Sequence, residues 1–178
     1  GVFTISSTRF RALYNLVSWV QMMLFGTHIH WYVPFNIILN TGIAYTIYWM
    51  SRKLSRSIYV GVLCGILFLA SRMSYYQIGQ ILGLMESMAM WMALAILWLL
   101  YGYLNEKDGG DQRRIYLASL LYVGVCFVHE RYMVLLPLFI LVLLFKKAKS
   151  WKLWAAPLSG FAFVQAMRLI FIGTVSPA

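Results

Sequence analysis

Apolar runs separated by short polar or basic segments make up most of the chain from residue 32 onward. A membrane-spanning helix needs about 20 largely apolar residues, and most of these runs approach that length. The pattern therefore predicts an all-α fold, a polytopic transmembrane helical bundle with short helical hairpins, in a single domain that covers residues 1–178. The predicted spans are residues 32–51, 57–71, 84–104, 115–129, 131–145 and 153–172.

Residues 8–24 form the first helix that the pattern predicts. Thr8, Arg11, Asn15 and Ser18 recur at helical spacing, and apolar residues fill the other positions. A helix with one polar stripe is stable when it lies in the membrane interface. The spacing favours an outer amphipathic interfacial helix, and the uncharged run of residues 12–25 leaves a short span as the alternative.

The ionisable triplet His129-Glu130-Arg131 separates two uncharged, largely apolar runs, residues 115–127 and 133–145. One helix through both runs would be about 46 Å long, whereas the hydrocarbon core of a membrane is about 30 Å thick. It would also hold two charges near the membrane centre, which is costly. Two arms of about 15 residues would each reach only about 22 Å. We therefore predict a hairpin whose charged apex lies below the membrane surface and faces a protein-lined, watery cavity.

Composition and charge agree with a membrane protein. Hydrophobic residues make up 62% of the chain, charged residues 11%, and the mean hydropathy is +0.74. The net charge of +10 would suggest nucleic acid as a partner of a soluble protein. Ten of the basic residues, however, lie in three short loops that the spans place on one side: Arg52, Lys53, Arg56, Lys107, Arg113, Arg114, Lys146, Lys147, Lys149 and Lys152. Because inner loops of membrane proteins are enriched in Lys and Arg, we expect no nucleic-acid partner and a multi-pass protein of a bacterial cytoplasmic membrane.

The cations on the predicted outer side are all arginines: Arg9, Arg11, Arg72, Arg131 and Arg168. A guanidinium binds phosphate through two parallel hydrogen bonds and stays charged when it is partly desolvated. Arg72 and Arg131 lie next to Tyr, Gln and Glu residues in predicted turns, which indicates an anionic ligand on that side. Arg168 lies within one or two turns of the end of its span, where we expect it to snorkel to the surface.

Glu86 lies in the first turn of the predicted span 84–104, directly after the polar and aromatic stretch of residues 72–80. A carboxylate at that position is stabilised by the helix dipole, which accounts for it without any function. The polar residues before Glu86 make it equally reasonable that Glu86 lines a cavity. The sequence leaves both interpretations open.

The order of these parts resembles the GT-C superfamily, the polytopic glycosyltransferases that use polyprenyl-phosphate-linked sugars. The parts are an amphipathic segment from Arg9, an inward span that opens with Phe35-Asn36 and closes at Ser51, a polar turn before Glu86, and the apex triplet before Pro137. The resemblance covers most of the chain and lies in the order and spacing of the parts. It implies an enzyme that transfers a sugar from a polyprenyl-phosphate donor to an acceptor on the extracytoplasmic side, with membrane lipid as its surroundings.

The resemblance also implies roles for individual residues. Arg72 and Arg131 would bind the lipid phosphate, Glu130 would orient Arg131, and His129 would hydrogen-bond the phosphate or pack beside it. Glu86 would act in catalysis by positioning the acceptor or a divalent metal ion, the one cofactor that this chemistry could use. The family's principal catalytic acid lies in the first outer loop. Since Gly1–Ser7 contains no Asp or Glu, we expect that acid upstream of Gly1.

A membrane transporter or lipid flippase is the alternative function, and a non-catalytic membrane subunit is another. A flippase should carry polar residues through the whole depth of several spans. Here the polar residues concentrate near the predicted outer ends, and residues 94–100 and 135–145 are almost entirely apolar. This distribution favours the transferase.

Overall fold

The computed structural model describes residues 11–79, 83–106 and 111–172, and every regular element among them is helical. The α-helices are α1 (Ala12–Phe25), α2 (Tyr32–Ser55), α3 (Ile58–Leu69), α4 (Arg72–Gly79), α5 (Gly83–Asn105), α6 (Gln112–Val128), α7 (Leu136–Phe145) and α8 (Trp151–Ile172). Short 3-10 helices cover Ile29–Trp31 and Glu130–Leu135. The prediction of an all-helical chain is confirmed for these residues.

Among the described residues, two helices are long and apolar enough to cross a membrane, namely Gly83–Asn105 and the part of α8 from Trp151 to Phe171. Helices α3 and α4 pass the same test together, but the chain bends by 53° between them, as in a broken span or a re-entrant loop. Residues 11–79, 83–106 and 111–172 thus contain two or three candidate spans, in keeping with a membrane protein. The larger number of crossings and the sidedness of the loops stay predictions.

The chain divides into two compact units. The N-terminal unit is Val17–Leu94, and the C-terminal unit is Ala95–Ala178 together with Gly1–Leu16. Several predicted features lie outside the described residues: the first residues of the interfacial helix with Arg9, the end of the polar stretch at residues 80–82, and the turn at Asp108.

In the N-terminal unit, α3 packs antiparallel against α2 through two glycines. A Cβ atom on Gly61 would lie 2.9 Å from the Tyr48 carbonyl oxygen, and one on Gly65 would lie 3.4 Å from that of Ala44. Small residues at this spacing let two helix backbones approach closely. The buried core beside this contact contains Ile43, Ala44 and Phe68, with Ile47, Met90 and Leu94 packed around it.

Helix α4 replaces the polar turn that the sequence predicted after residue 71. The hydroxyl of Ser71 accepts a hydrogen bond from the Ser74 backbone N–H at 3.2 Å, which satisfies one of the free donors of the new helix. Helix α3 has already ended at Leu69, two residues before the predicted end of its span. The polar stretch is therefore helical and fixed in orientation.

In the C-terminal unit, α8 packs against both α6 and α7. Arg114, near the start of α6, and Lys146, just after α7, both bond to Glu106. The start of α6 and the end of α7 therefore lie close together, which shows that the chain reverses between them. The chain thus turns back at this hairpin, whose position relative to a membrane stays a prediction. Its second arm differs from the prediction, since residues 130–135 form a 3-10 helix and the α-helix begins only at Leu136, with Pro137 in its first turn.

Candidate functional site

His129 breaks the helix at the hairpin apex. Its backbone is extended (φ −148°, ψ 114°), and its ring nitrogen Nδ1 accepts a hydrogen bond from the Arg131 backbone N–H at 3.3 Å. The side chain thereby caps the 3-10 helix that follows, and it is 5% exposed. His129 therefore has a structural role, because this hydrogen bond fixes the direction of the chain at the apex. Its hydrogen bond to a phosphate stays a prediction.

Glu130 turns inward and meets Arg168 of α8. The Glu130 carboxylate lies 3.3 Å from the Arg168 guanidinium, and the two side chains are 8% and 1% exposed. The expectation that Arg168 snorkels to the surface is therefore wrong, because a buried carboxylate holds the guanidinium inside the unit. Sequence reasoning named both residues but did not pair them, since they lie on separate helices far apart in the chain.

Further contacts fix the apex against its neighbours on both sides. The Tyr122 hydroxyl of α6 donates a hydrogen bond to the Met133 carbonyl oxygen at 3.2 Å. From α8, the Gln165 amide nitrogen and the Arg168 guanidinium lie 3.9 Å and 4.0 Å from the Met133 sulfur, as weak hydrogen bonds. The 3-10 segment is therefore anchored to both α6 and α8.

Arg131 differs from its neighbours because its side chain is exposed. Its backbone N–H bonds to His129, but no described residue is hydrogen-bonded to or ion-paired with its guanidinium. The Glu130–Arg168 pair is neutral as a whole, so Arg131 gives the apex a positive charge. A guanidinium placed in this way can bind an anion through its two outer N–H groups.

Arg72 occupies the first position of α4 in the N-terminal unit and is also exposed. Its guanidinium donates a hydrogen bond to the Tyr76 hydroxyl at 2.8 Å and lies 5.1 Å from the centre of the same ring. The tyrosine one turn later therefore restricts the conformations of Arg72 and leaves other guanidinium N–H groups available to a ligand.

Glu86 lies in the first turn of α5 and is half-buried. Its neighbour Ser87 is fully buried, and the Ser87 hydroxyl has no hydrogen-bond partner among the described residues. Both earlier interpretations of Glu86, a residue favoured by the helix dipole and a wall of a cavity, agree with this position.

A buried network of uncharged polar side chains joins α2 to α4. The Asn40 amide nitrogen donates to the Gln77 side-chain oxygen at 2.6 Å, and the Ser74 hydroxyl donates to the Asn40 oxygen at 2.7 Å. All three residues are at most 1% exposed. Sequence reasoning missed this network, although the spacing of three residues between Ser74 and Gln77 puts them on one helix face.

An apolar cavity of about 370 Å³ lies between α2 and α5 in the N-terminal unit, lined by Leu39, Met88, Trp91 and Met92. The indole nitrogen of Trp91 donates a weak hydrogen bond to the Leu39 carbonyl oxygen at 3.4 Å, which holds the ring beside the cavity. A cavity without polar lining suits a hydrocarbon chain.

The predicted site residues fall into two groups. The structure brings His129, Glu130 and Arg131 together with Arg168 in the C-terminal unit, and it places Arg72 and Glu86 in the N-terminal unit. Within residues 11–79, 83–106 and 111–172, no three His, Cys, Asp or Glu side chains converge as metal ligands. The described residues therefore do not form a metal site of their own.

No family model, curated protein or solved structure matches the chain.

Proposed function

We propose that the chain is part of an integral membrane glycosyltransferase that moves a sugar from a polyprenyl-phosphate donor to an acceptor on the extracytoplasmic side. The observation that supports this most is Arg131, an exposed guanidinium at the apex of a helical hairpin, beside the buried Glu130–Arg168 pair. The order of polar segments that resembles the GT-C superfamily supports the same reaction.

In this reaction the bond between the anomeric carbon and the phosphate oxygen breaks, and the phosphate leaves with the bonding electron pair. The acceptor oxygen forms the new bond to the anomeric carbon, and its proton passes to a carboxylate base. Arg131 would stabilise the negative charge that grows on the phosphate.

The Glu130–Arg168 pair changes the role proposed for Glu130. Because this carboxylate is buried and already faces the Arg168 guanidinium, it is poorly placed to accept a proton from an acceptor. We assign it as a positioning residue, which holds the apex on α8 so that Arg131 points away from the unit. Glu86 remains the proposed catalytic carboxylate.

Arg131 provides the sharpest test of donor binding. Arg131→Ala should weaken binding of a polyprenyl-phosphate sugar by about 10- to 100-fold, since a hydrogen bond to a charged group contributes roughly 1.5–3 kcal/mol. Arg131→Lys should lose less, because it keeps the charge but not the two-pronged geometry. The measurement is donor affinity of the purified full-length protein in detergent, with the melting temperature recorded in parallel.

Arg52→Ala is the control for Arg131, because Arg52 is also an exposed arginine and belongs to neither the apex nor the C-terminal unit. It should leave donor affinity unchanged. An Arg131→Ala protein that melts normally and binds the donor as tightly as the wild type would exclude the phosphate site at the apex. Donor binding without any sugar transfer would favour the transporter instead.

Glu86→Gln separates catalysis from helix stabilisation. If Glu86 positions the acceptor, the amide should abolish most sugar transfer by the full-length protein, while expression and melting temperature stay close to those of the wild type. If Glu86 only interacts with the helix dipole, the change should cost about 0.3–1 kcal/mol of stability and leave transfer intact. Transfer assays and thermal melts on the same preparation distinguish the two results.

A further inference from the structure

The end of the C-terminal unit away from the hairpin apex has a strongly basic surface built from two segments. Residues 111–114 and 146–152 together contribute six cations: Arg113, Arg114, Lys146, Lys147, Lys149 and Lys152. We call these two segments the basic face. Among the described residues of that end, only Asp111 and Glu106 supply carboxylates. The excess of cations is therefore concentrated on one surface.

Glu106 brings the two segments together. Its carboxylate forms an ion pair with Arg114 at 2.6 Å and accepts a hydrogen bond from the Asp111 backbone N–H. Its backbone carbonyl oxygen accepts a hydrogen bond from the Lys146 ammonium group. A Cβ atom on Gly102 would overlap the Arg114 guanidinium, so glycine at that position leaves the space through which the arginine reaches Glu106.

The turn after α7 adopts a geometry that normally favours glycine. Lys147 has φ +49°, its N–H bonds to the Leu144 carbonyl oxygen, and the next N–H, of Ala148, reaches back to Leu143. Helices commonly end in this way, but with glycine in the left-handed position, because a side chain there strains the backbone. The left-handed geometry is unfavourable for a lysine, but the positive charge at the end of the helix interacts favourably with the helix dipole.

A second contact fixes the rest of this loop. The indole nitrogen of Trp154 donates a hydrogen bond to the Ala148 carbonyl oxygen at 3.1 Å. Lys147, Lys149 and Lys152 are exposed around this anchored turn. The lysines therefore project from an ordered backbone.

Aromatic side chains border the same surface. Phe145 is 81% exposed and Trp151 is 72% exposed. Exposed aromatic residues beside lysines are typical of the boundary between headgroups and hydrocarbon in a membrane. Free phosphate would use the cations but would leave these apolar side chains in water.

The geometry points to a binding site for anionic phospholipids, in which the basic face holds the phosphate headgroups and Phe145 and Trp151 contact the acyl chains. Clusters of Lys and Arg at the ends of membrane helices bind anionic headgroups, and each cation adds to the attraction. This site lies away from the hairpin apex and does not depend on the proposed glycosyl transfer.

The test uses the full chain in dodecyl maltoside micelles, titrated with phosphatidylglycerol or phosphatidylcholine. Bound lipid is counted by native mass spectrometry, and thermal stability is measured in the same samples. Phosphatidylglycerol should bind preferentially and raise the melting temperature, whereas phosphatidylcholine should do neither. A variant with Lys147→Gln, Lys149→Gln and Lys152→Gln should bind phosphatidylglycerol at least tenfold more weakly, since each charge contributes roughly fivefold.

Two control variants define the result. Changing the same three lysines to arginine should retain binding, which shows that the loss in the glutamine variant comes from charge and not from misfolding. Changing Arg52, Lys53 and Arg56 to glutamine removes as many charges from the N-terminal unit and should leave most of the binding in place.

Three outcomes would overturn the proposal. One is equal binding of the two lipids. Another is an equal loss of phosphatidylglycerol binding in the variant of the N-terminal unit, which would mean diffuse attraction by any basic loop. The third is complete competition by millimolar inorganic phosphate, which would mean that the cations bind phosphate without the lipid.

Discussion

Arg168→Ala should destabilise the protein by roughly 3–5 kcal/mol, because it leaves the buried Glu130 carboxylate without its cation. The Arg168 side chain is 1% exposed, so neither water nor a headgroup can replace it without an opening of the unit. Glu130→Gln should cost less, since a neutral amide is easier to bury than a carboxylate, although it leaves the guanidinium without a counter-charge. Unfolding in detergent, followed by circular dichroism, measures these differences.

A double-mutant cycle shows whether the effect belongs to the pair. Combining the same two substitutions, Arg168→Ala with Glu130→Gln, should cost less than the sum of the two single losses, because no unpaired charge stays buried. Arg131→Ala is the matched control: it removes a neighbouring but exposed arginine and should change stability by less than about 0.5 kcal/mol. Strictly additive losses in the double variant would show that the two residues do not stabilise each other.

Asn40→Leu should destabilise the N-terminal unit by roughly 2–4 kcal/mol. Asn40 bonds to both Ser74 and Gln77, and each buried polar group left without a partner costs about 1–3 kcal/mol. Because both partners lie on α4, the loss should loosen α4 from α2. Hydrogen exchange of the backbone amides of residues 72–79 should accelerate more than that of α3, which packs on α2 through glycines.

Thr41→Val is the control for Asn40. Thr41 is the next residue, it is exposed, and its hydroxyl bonds only to the Ile37 carbonyl oxygen of its own helix. We expect a change within about 0.5 kcal/mol and unaltered exchange in α4. If Asn40→Leu leaves both stability and exchange unchanged, the network does not hold α4 in place.

The sequence was enough to locate the hairpin apex, because the apex follows from the lengths of the two apolar runs and the positions of the charged residues between them. Two apolar runs and three ionisable residues between them exclude one straight helix, and the structure breaks at His129. Lengths and charges do not determine which way each charged side chain points. Arg131 is exposed while Glu130 is buried, a difference that depends on α8 packing beside the apex.

The polar stretch after α3 shows a different limit. Residues 72–80 are polar and aromatic and lie between two predicted spans, which suggested a turn. Here Ser74 and Gln77 share a helix face, and Asn40 of α2 supplies the hydrogen bonds that make burial of that face favourable. Tertiary contact therefore overrode a local preference.

The sequence by itself determined the helical class and the approximate positions of the helices, because the length of an apolar run and the spacing of its charges are properties of the chain alone. Only the tertiary structure decided which polar groups are satisfied by one another. The Glu130–Arg168 pair, the Asn40 network and the Glu106 contacts with Arg114 and Lys146 each join residues on separate elements. The free energy of a buried polar group depends on the partner that packing brings to it, and that partner cannot be read from neighbouring positions in the chain.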